Sequence, residues 1–407
     1  MVTTIGELLP EAARRFGDKT AVVVDSEEFS FAELEARSNR IAKGLVSIGV
    51  VPGDRVTLYG PNCWQWVVAY YAIAKTGAVA NPISAMLTSE EVRYVVNDSG
   101  ARVVVTSSDK GRPLLDLIGA GELSHVVVWD DDLGSAGTSL RQWVDEADDE
   151  FEPRPRDASD LGAICYTSGT TGHPKGAMQS VRSVLAAGVG TVLMGARGPG
   201  DRVTNSLPLA HVYGSCVLNA AMLAGSTLVM VPRFDAATVL STIAEHQVTL
   251  MDGVPTAYYY LLAHQDFDQT DLSSLTRCWV GGQTLPAAKA LEFTARSGCP
   301  IHEVWGMTEL AGPASANPVV GPNKPGTIGI AFPGNAMRVV DIDDPAVVLG
   351  AGERGELMFR GPLVMDGYYG NDEATRRSIE PDGWLHSGDI ATMDEDGYFT
   401  TSTARPT

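Results

Sequence analysis

Cysteine is scarce and unpatterned. The 407 residues hold five, Cys63, Cys165, Cys216, Cys278 and Cys299, with no CxxC pair and no metal-ligand spacing. That excludes a disulfide scaffold or a zinc ribbon, and thiols set in apolar runs predict buried cysteines in a reducing, cytoplasmic setting. Basic charge is also in short supply. With 30 basic against 50 acidic residues, a net charge of -20, and no basic cluster, the chain lacks the surface that tracks a nucleic-acid backbone. An anionic ligand then has to be captured by local geometry rather than by the global field. The N-terminal MVTTIGELLPEAARRFGD lacks the apolar centre of a signal peptide and reads as a short amphipathic helix. One stretch lacks charge altogether: from Val203 to Pro232 there is no Asp, Glu, Lys or Arg, a length that raises a membrane span. Asn205, Pro208, His211, Gly214, Asn219 and the Gly225-Ser-Thr cluster break it, and STLVMV is β-branched. The stretch therefore predicts a buried strand, loop, helix and strand rather than an integral membrane segment.

What is present is an ordinary globular balance, 44% hydrophobic and 20% charged, in a chain long enough for two to three units. Strand-length apolar runs alternate with helix-length segments: RVTLYG (55–60) before NCWQWVVAYYAIAKTG, then ARVVVTSS (101–108) and HVVVWD (125–130). The alternation resumes with GAICYTSG, RVTNSLPL, STLVMVP, VTLMDGVP and TRCWVGG, with helices from about Ser180, Tyr213 and Asp235. This predicts an α/β protein with two helix-covered, mostly parallel sheets. The acidic, proline-bearing DEADDEFEPRPRDASD (145–160) reads as the connection between two halves. Beyond Pro325 short glycine-rich strands (GTIGIAF, MRVVDID, GELMFRG) suit a small distorted β-barrel or antiparallel sheet. The expected units are a first α/β subdomain (1–160), a second (161–325), a small β-rich unit (326–399) and an atypical tail (400–407).

One loop asks what it holds. YTSGTTGHPKGA (166–177) follows a buried strand and is read as a strand-to-helix turn at the carboxyl end of a parallel strand, the edge where such sheets bind ligands. Gly169, Gly172 and Gly176 let backbone N–H groups turn toward an anion. Thr167, Ser168, Thr170 and Thr171 add hydroxyl donors, and Lys175 adds a point charge. A polyphosphate fits that donor set. The pattern GxxxxGK[ST] is not met, because Pro174 stands where its second glycine belongs.

The loop resembles the signature of the adenylate-forming superfamily: acyl-CoA synthetases, luciferase and the adenylation domains of peptide synthetases. LPLAHVYG (207–214), VGGQTLP (280–286), VWGMTEL (304–310), GELMFRGPLVMDGYY (355–369) and GWLHSGDIATMDEDGYF (383–399) match further signatures in order, so the resemblance covers the chain to about Phe399. The chemistry this implies is attack of a carboxylate on the α-phosphorus of ATP, loss of pyrophosphate, and capture of the acyl-adenylate by coenzyme A. By resemblance Lys175 and the loop donors Thr167, Ser168, Gly169, Thr170, Thr171 and Gly172 hold the β- and γ-phosphates, Thr308 meets the α-phosphate and Glu309 holds Mg²⁺. A single carboxylate suits Mg²⁺, which keeps most of its waters and takes phosphate oxygens. Trp305, where the family usually has Tyr, Gly306, Gly281 and Gly282 are expected around the adenine, and Asp389 on the ribose hydroxyls. Gly282, His211, Val212 and Tyr213 are expected to line the acid's tunnel, His211 as a lining residue rather than an acid or base. Taken alone, Glu309 reads as a surface carboxylate, Trp305 and His211 as core residues, and Asp389 as a turn cap. Gln283 departs from the small residue usual in the family.

The resemblance also implies a lid domain after Phe399, with a hinge Asp-Arg pair near Thr403 and Ala404; the sequence has TTSTARPT there, and Arg405 is not given that role. The lid is expected to be absent from this polypeptide, by truncation, natural ending or supply from a separate chain, which would impair thioester formation. The favoured function is a fatty-acyl-CoA synthetase, since the LNAAMLAG helix carries no acidic residue to meet an α-ammonium group. An aryl-acid ligase, a catalytically silent nucleotide- and acyl-binding protein, and half of a split enzyme or a homo-oligomer remain as alternatives. A kinase or ATPase is disfavoured because no second Mg²⁺ carboxylate or catalytic-base motif is present.

Overall fold

Strands buried on both faces carry no polar alternation, and the first third of the chain is built that way. Arg55–Tyr59, Val79–Ile83 and Val103–Thr106 are buried at nearly every position, as parallel strands covered by helices must be. The structure is a computed structural model that describes residues 2–130, 133, 137–145, 148–167 and 174–402. These strands form the centre of an eight-stranded sheet ordered Gly367–Tyr368, Lys175–Ser180, Leu161–Thr167, Val79–Ile83, Arg55–Tyr59, Val103–Thr106, His125–Val128 and Thr138–Ser139. Leu161–Thr167 through Thr138–Ser139 run parallel, and the two strands at the other edge are antiparallel.

A second, nine-stranded sheet is ordered Ile330–Ala331, Gly312–Ala316, Ile301–Met307, Arg277–Val280, Leu250–Gly253, Arg202–Asn205, Thr227–Met230, Thr20–Val24 and Glu27–Ser30. Sheet membership cuts across the sequence boundary near 160. Thr20–Val24 pairs in parallel with Thr227–Met230, while Ala163 pairs with Ala80 of the first sheet. The acidic stretch marks where the chain runs along the surface, but surface composition carries no information on which sheet the next strand joins.

The charge-free run supplies two buried strands of the second sheet and the buried helix that joins them, which explains its composition. Helix Val212–Ala224 buries Val212, Tyr213, Gly214, Cys216, Val217, Leu218, Asn219, Ala220, Ala221, Met222 and Ala224, so an ionised group on almost any face would have no water. Its one strongly polar core group is bonded across to helix Trp64–Lys75: Asn219 accepts from Tyr71 at 3.0 Å and donates to Tyr70 at 3.2 Å. Among the described residues no helix is long and apolar enough to cross a membrane. Four cysteines are buried as expected; Cys63 is half-buried instead, because it caps helix Trp64–Lys75 at its exposed entry.

The glycine-rich third region forms a small, wholly antiparallel sheet of Ala336–Val340, Gly355–Arg360, Leu385–Met393 and Phe399–Ser402. Its apolar face, Ile328, Val339, Leu357, Ala391 and Phe399, packs against Trp305 of the second sheet. The tail 403–407, with the expected hinge positions, lies outside the described residues.

A buried lysine tests the packing of the first unit. Lys75 is wholly buried and its ammonium donates to Glu35, Ser38 and Asn39, each at 2.6 Å. Removing one member of a buried pair strands the other, so Lys75→Ala is expected to lower stability by about 3 kcal/mol in urea unfolding.

Candidate active site

The strand Leu161–Thr167 is parallel to Val79–Ile83, as the sequence predicts, but the segment after it is not a strand-to-helix turn. Thr167 pairs directly with Lys175, and the chain returns antiparallel over Lys175–Ser180 before helix Val181–Met194 begins. Small residues permit this tight return: a Cβ on Gly176 would stand 2.7 Å from Ile164 Cγ2. The helix starts only where Ser180 Oγ accepts from the Ser183 N–H at 3.1 Å. Ser168, Gly169, Thr170, Thr171 and Gly172 lie outside the described residues.

A cavity of about 1290 Å³ opens between the sheets. It is bordered by Ile83, Thr167, Leu207, Val254, Gly282 and Thr308. These stand at, or within two residues of, the carboxyl ends of six parallel strands, two from the first sheet and four from the second. Ligands of open α/β sheets bind at that edge. His211, Tyr213 and Gln283 also line it. Val212, expected beside them, is buried in the first turn of helix Val212–Ala224 and does not border the cavity. His211 Nδ1 accepts from the Tyr213 N–H at 3.2 Å and so caps the helix, which leaves the proton on Nε2. It borders the cavity, and desolvation holds the imidazole below its ordinary pKa, favouring the neutral form.

Thr308 and Glu309 sit in the short 3-10 turn Thr308–Leu310 that ends strand Ile301–Met307. The Thr308 carbonyl accepts from Gln179 of the first sheet at 2.9 Å, and the Glu309 carbonyl from the Met365 N–H at 2.9 Å, so the turn that ends a second-sheet strand is also fixed to the first sheet and to the segment before Gly367–Tyr368. Glu309 is buried rather than a solvated surface carboxylate. Its Oε1 accepts from the Tyr368 hydroxyl at 2.6 Å, and the Lys175 ammonium lies 5.0 Å from the centre of the same ring. Tyr368 thus joins the two charged residues, yet sequence reasoning gave it no role. Its signal was the aromatic pair in MDGYY, on an edge strand that pairs with Ala177 just past the loop.

Trp305 and Asp389 meet. The indole Nε1 donates to Asp389 Oδ2 at 2.7 Å, across 84 residues of chain, which ties the small sheet to strand Ile301–Met307 of the second sheet. Gly306 is enclosed: a Cβ there would stand 2.0 Å from the Gly312 carbonyl oxygen. Gly281 is equally confined, with a Cβ falling 2.8 Å from the Val304 carbonyl oxygen and 3.3 Å from the Tyr213 ring. Gly282 has φ +87°, a conformation that suits glycine.

Two residues before Trp305, Glu303 is buried and accepts from the Gly326 N–H at 2.9 Å. Burial pushes its pKa up from an ordinary 4.5 to about 7. The folded state therefore binds the proton more tightly than the unfolded chain does. Its contribution is fully present below about 4.5 and is lost as pH rises through about 7. Glu303→Gln keeps the acceptor and removes the titration. Between pH 4.5 and 7 the parent is expected to lose up to about 3 kcal/mol relative to the variant in paired urea unfolding curves.

With the geometry in place, comparison with known proteins gives the class. The AMP-binding enzyme family model matches residues 9–369, and the chain belongs to that family. Among its relatives is a feruloyl-CoA synthase of Amycolatopsis, 35% identical over 389 residues, covering 95% of this chain and 76% of the relative. Another is a long-chain-fatty-acid–CoA ligase of Bacillus subtilis, 29% identical over 429 residues, covering 97% and 76%. The anthranilate CoA ligase AuaEII, solved in complex with anthranoyl-AMP, superimposes with a TM-score of 0.90 at 28% identity, covering 98% of this chain and 77% of that one. The resemblance read from the motifs and the α/β fold class both hold.

Proposed function

We propose that this chain is an AMP-forming acid–CoA ligase that activates a carboxylic acid with ATP. A carboxylate oxygen bonds to the α-phosphorus while the bond to pyrophosphate breaks; the thiol of coenzyme A then attacks the acyl carbon and AMP leaves. The observation that carries the reading is the Thr308–Glu309 turn, held by both sheets at the rim of the cavity and linked through Tyr368 to Lys175. Lys175, Thr167 and the loop residues beyond it are assigned to the leaving pyrophosphate, where negative charge grows. Thr308 is assigned to the α-phosphate. Glu309 suits Mg²⁺: one oxygen is oriented by Tyr368, while Oε2 carries no hydrogen bond among the described residues. Bound there, Mg²⁺ would neutralise phosphate charge. Asp389 Oδ2 is engaged by Trp305, which aims the carboxylate and leaves Oδ1 for the ribose hydroxyls. His211, neutral and bordering the cavity, lines the acid's path.

The sequence favours a fatty acid; the buried polar groups bonded to Tyr213 favour an aryl acid. Five free thiols support a cytoplasmic location. The test is ATP–pyrophosphate exchange with Mg²⁺ across fatty and aryl acids, together with ATP titration. Acid-dependent exchange is expected. ATP binding without any acid-dependent exchange or acyl-adenylate analogue binding would leave a silent nucleotide-binding protein.

A further inference from the structure

The strand Leu250–Gly253 is buried at all its positions, yet it carries Asp252. The Arg197 Nη2 donates to Asp252 Oδ1 at 2.7 Å, and neither side chain has any exposed surface. An ion pair this deep is tolerated when its remaining donors and acceptors are bonded, and here they are not. Asp252 Oδ2, Arg197 Nε and Arg197 Nη1 have no hydrogen-bond partner among the described residues. Neither has Nε1 of Trp279, whose ring lies 5.0 Å from the guanidinium carbon. Asp252 and Trp279 stand abreast in register, so both side chains project to one face of the sheet. On that face the Tyr213 hydroxyl donates to Asp252 Oδ1 at 3.3 Å, a long and weak bond, and Tyr213 also borders the cavity. Tyr213 thus touches both the cavity and this set of unbonded, buried polar atoms.

We propose that the acid taken by this site carries a neutral hydroxyl at the end remote from its carboxylate, and that Asp252, Arg197 and Tyr213 select for it. The inference rests on the acid-activation reading above. The free atoms are one acceptor and several donors on a pair whose charges cancel. A hydroxyl, which donates once and accepts, satisfies Asp252 Oδ2 and an Arg197 N–H together. A carboxylate would face Asp252, an ammonium would face Arg197, and an alkyl end would leave all of these atoms unbonded in a dry site. The rings of Tyr213 and Trp279 flank the pair, which favours a hydroxylated aryl acid over an ω-hydroxy alkanoic acid. For a bound hydroxyl to reach the pair, Tyr213 has to give up its weak bond to Asp252 and move aside.

The test uses non-hydrolysable acyl-sulfamoyl-adenosine analogues in matched pairs, benzoyl with 4-hydroxybenzoyl and cinnamoyl with 4-hydroxycinnamoyl, titrated calorimetrically. The hydroxylated member of at least one pair is expected to bind about 10-fold tighter or more. The ratio is expected to fall to near one in the paired apolar replacement Arg197→Met with Asp252→Leu, and to shrink in Asp252→Asn. The parent's ratio decides even where a variant fails to fold. Equal binding within both pairs, or tighter binding of the unsubstituted members, overturns the inference and leaves acid activation standing. An unchanged ratio in a folded variant overturns the residue assignment. Binding of none of the four overturns this inference, while acid activation is decided separately by pyrophosphate exchange across fatty and aryl acids.

Discussion

Glu309→Gln is expected to slow acid-dependent ATP–pyrophosphate exchange by ~10²–10³-fold while leaving the unfolding curve close to the parent's. The substitution is isosteric and keeps an oxygen for the Tyr368 hydroxyl, which now lies 2.6 Å from Oε1, so the turn has no reason to move. What it removes is the negative charge assigned to Mg²⁺. The loss should fall on transition-state stabilisation as pyrophosphate departs, and Mg-ATP should also bind more weakly. Tyr368→Phe is the informative companion: the carboxylate charge stays and only its orientation is freed, so a smaller loss, about 10-fold, is expected. Parent-like exchange and Mg-ATP affinity in Glu309→Gln would remove the carboxylate from the metal role. A loss in Tyr368→Phe as large as that in Glu309→Gln would show that orientation, not charge, is what the site needs.

The parts of this site that were legible in the sequence are those whose chemistry is local. Thr308 and Glu309 come from one short motif, and the family resemblance singled out Thr167, Gly282 and Thr308 at the cavity edge, while Ile83, Leu207 and Val254 were given no role. The charge-free stretch was legible too, since a helix buried on almost every face can carry no ionised group. The rest depends on pairings between distant segments. The strand Lys175–Ser180, KGAMQS, has neither β-branched residues nor alternation to announce it, and exists because Gly176 and Ala177 fit against Leu161–Thr167. Thr20–Val24 finds its parallel partner some two hundred residues later, beyond the reach of any periodicity. Trp305 and Asp389, assigned to adenine and ribose separately, proved to be bonded to one another. Asp252 was detectable in principle, as a lone carboxylate inside the apolar run LMDGVP, but its partner Arg197 lies 55 residues away.

The second large effect is expected at Gly306, where close packing meets the residues assigned to the nucleotide. Strand Ile301–Met307 turns back on itself through Thr308–Leu310 into Gly312–Ala316, and Gly306 pairs with Pro313 immediately after an irregularity at Trp305. A methyl group at Gly306 would stand 2.0 Å from the Gly312 carbonyl oxygen and 2.7 Å from both its carbonyl carbon and the Pro313 Cα. All three are backbone atoms, so no side chain can rotate away; the two strands must part. Gly306→Ala is therefore expected to destabilise by about 3 kcal/mol, the upper end for overpacking. ATP affinity should collapse as well, because the displaced strand carries Trp305 on one side and leads into Thr308 and Glu309 on the other. Gly119 supplies the control: it closes helix Leu115–Gly119, and a Cβ there meets nothing within 4 Å. Gly119→Ala should be neutral or stabilise by up to about 1 kcal/mol by narrowing the unfolded ensemble. Urea unfolding and ATP titration of both variants separate the possibilities. If Gly306→Ala matched Gly119→Ala in stability and still bound ATP, the close strand crossing would not be what holds the Thr308–Glu309 turn at the cavity rim.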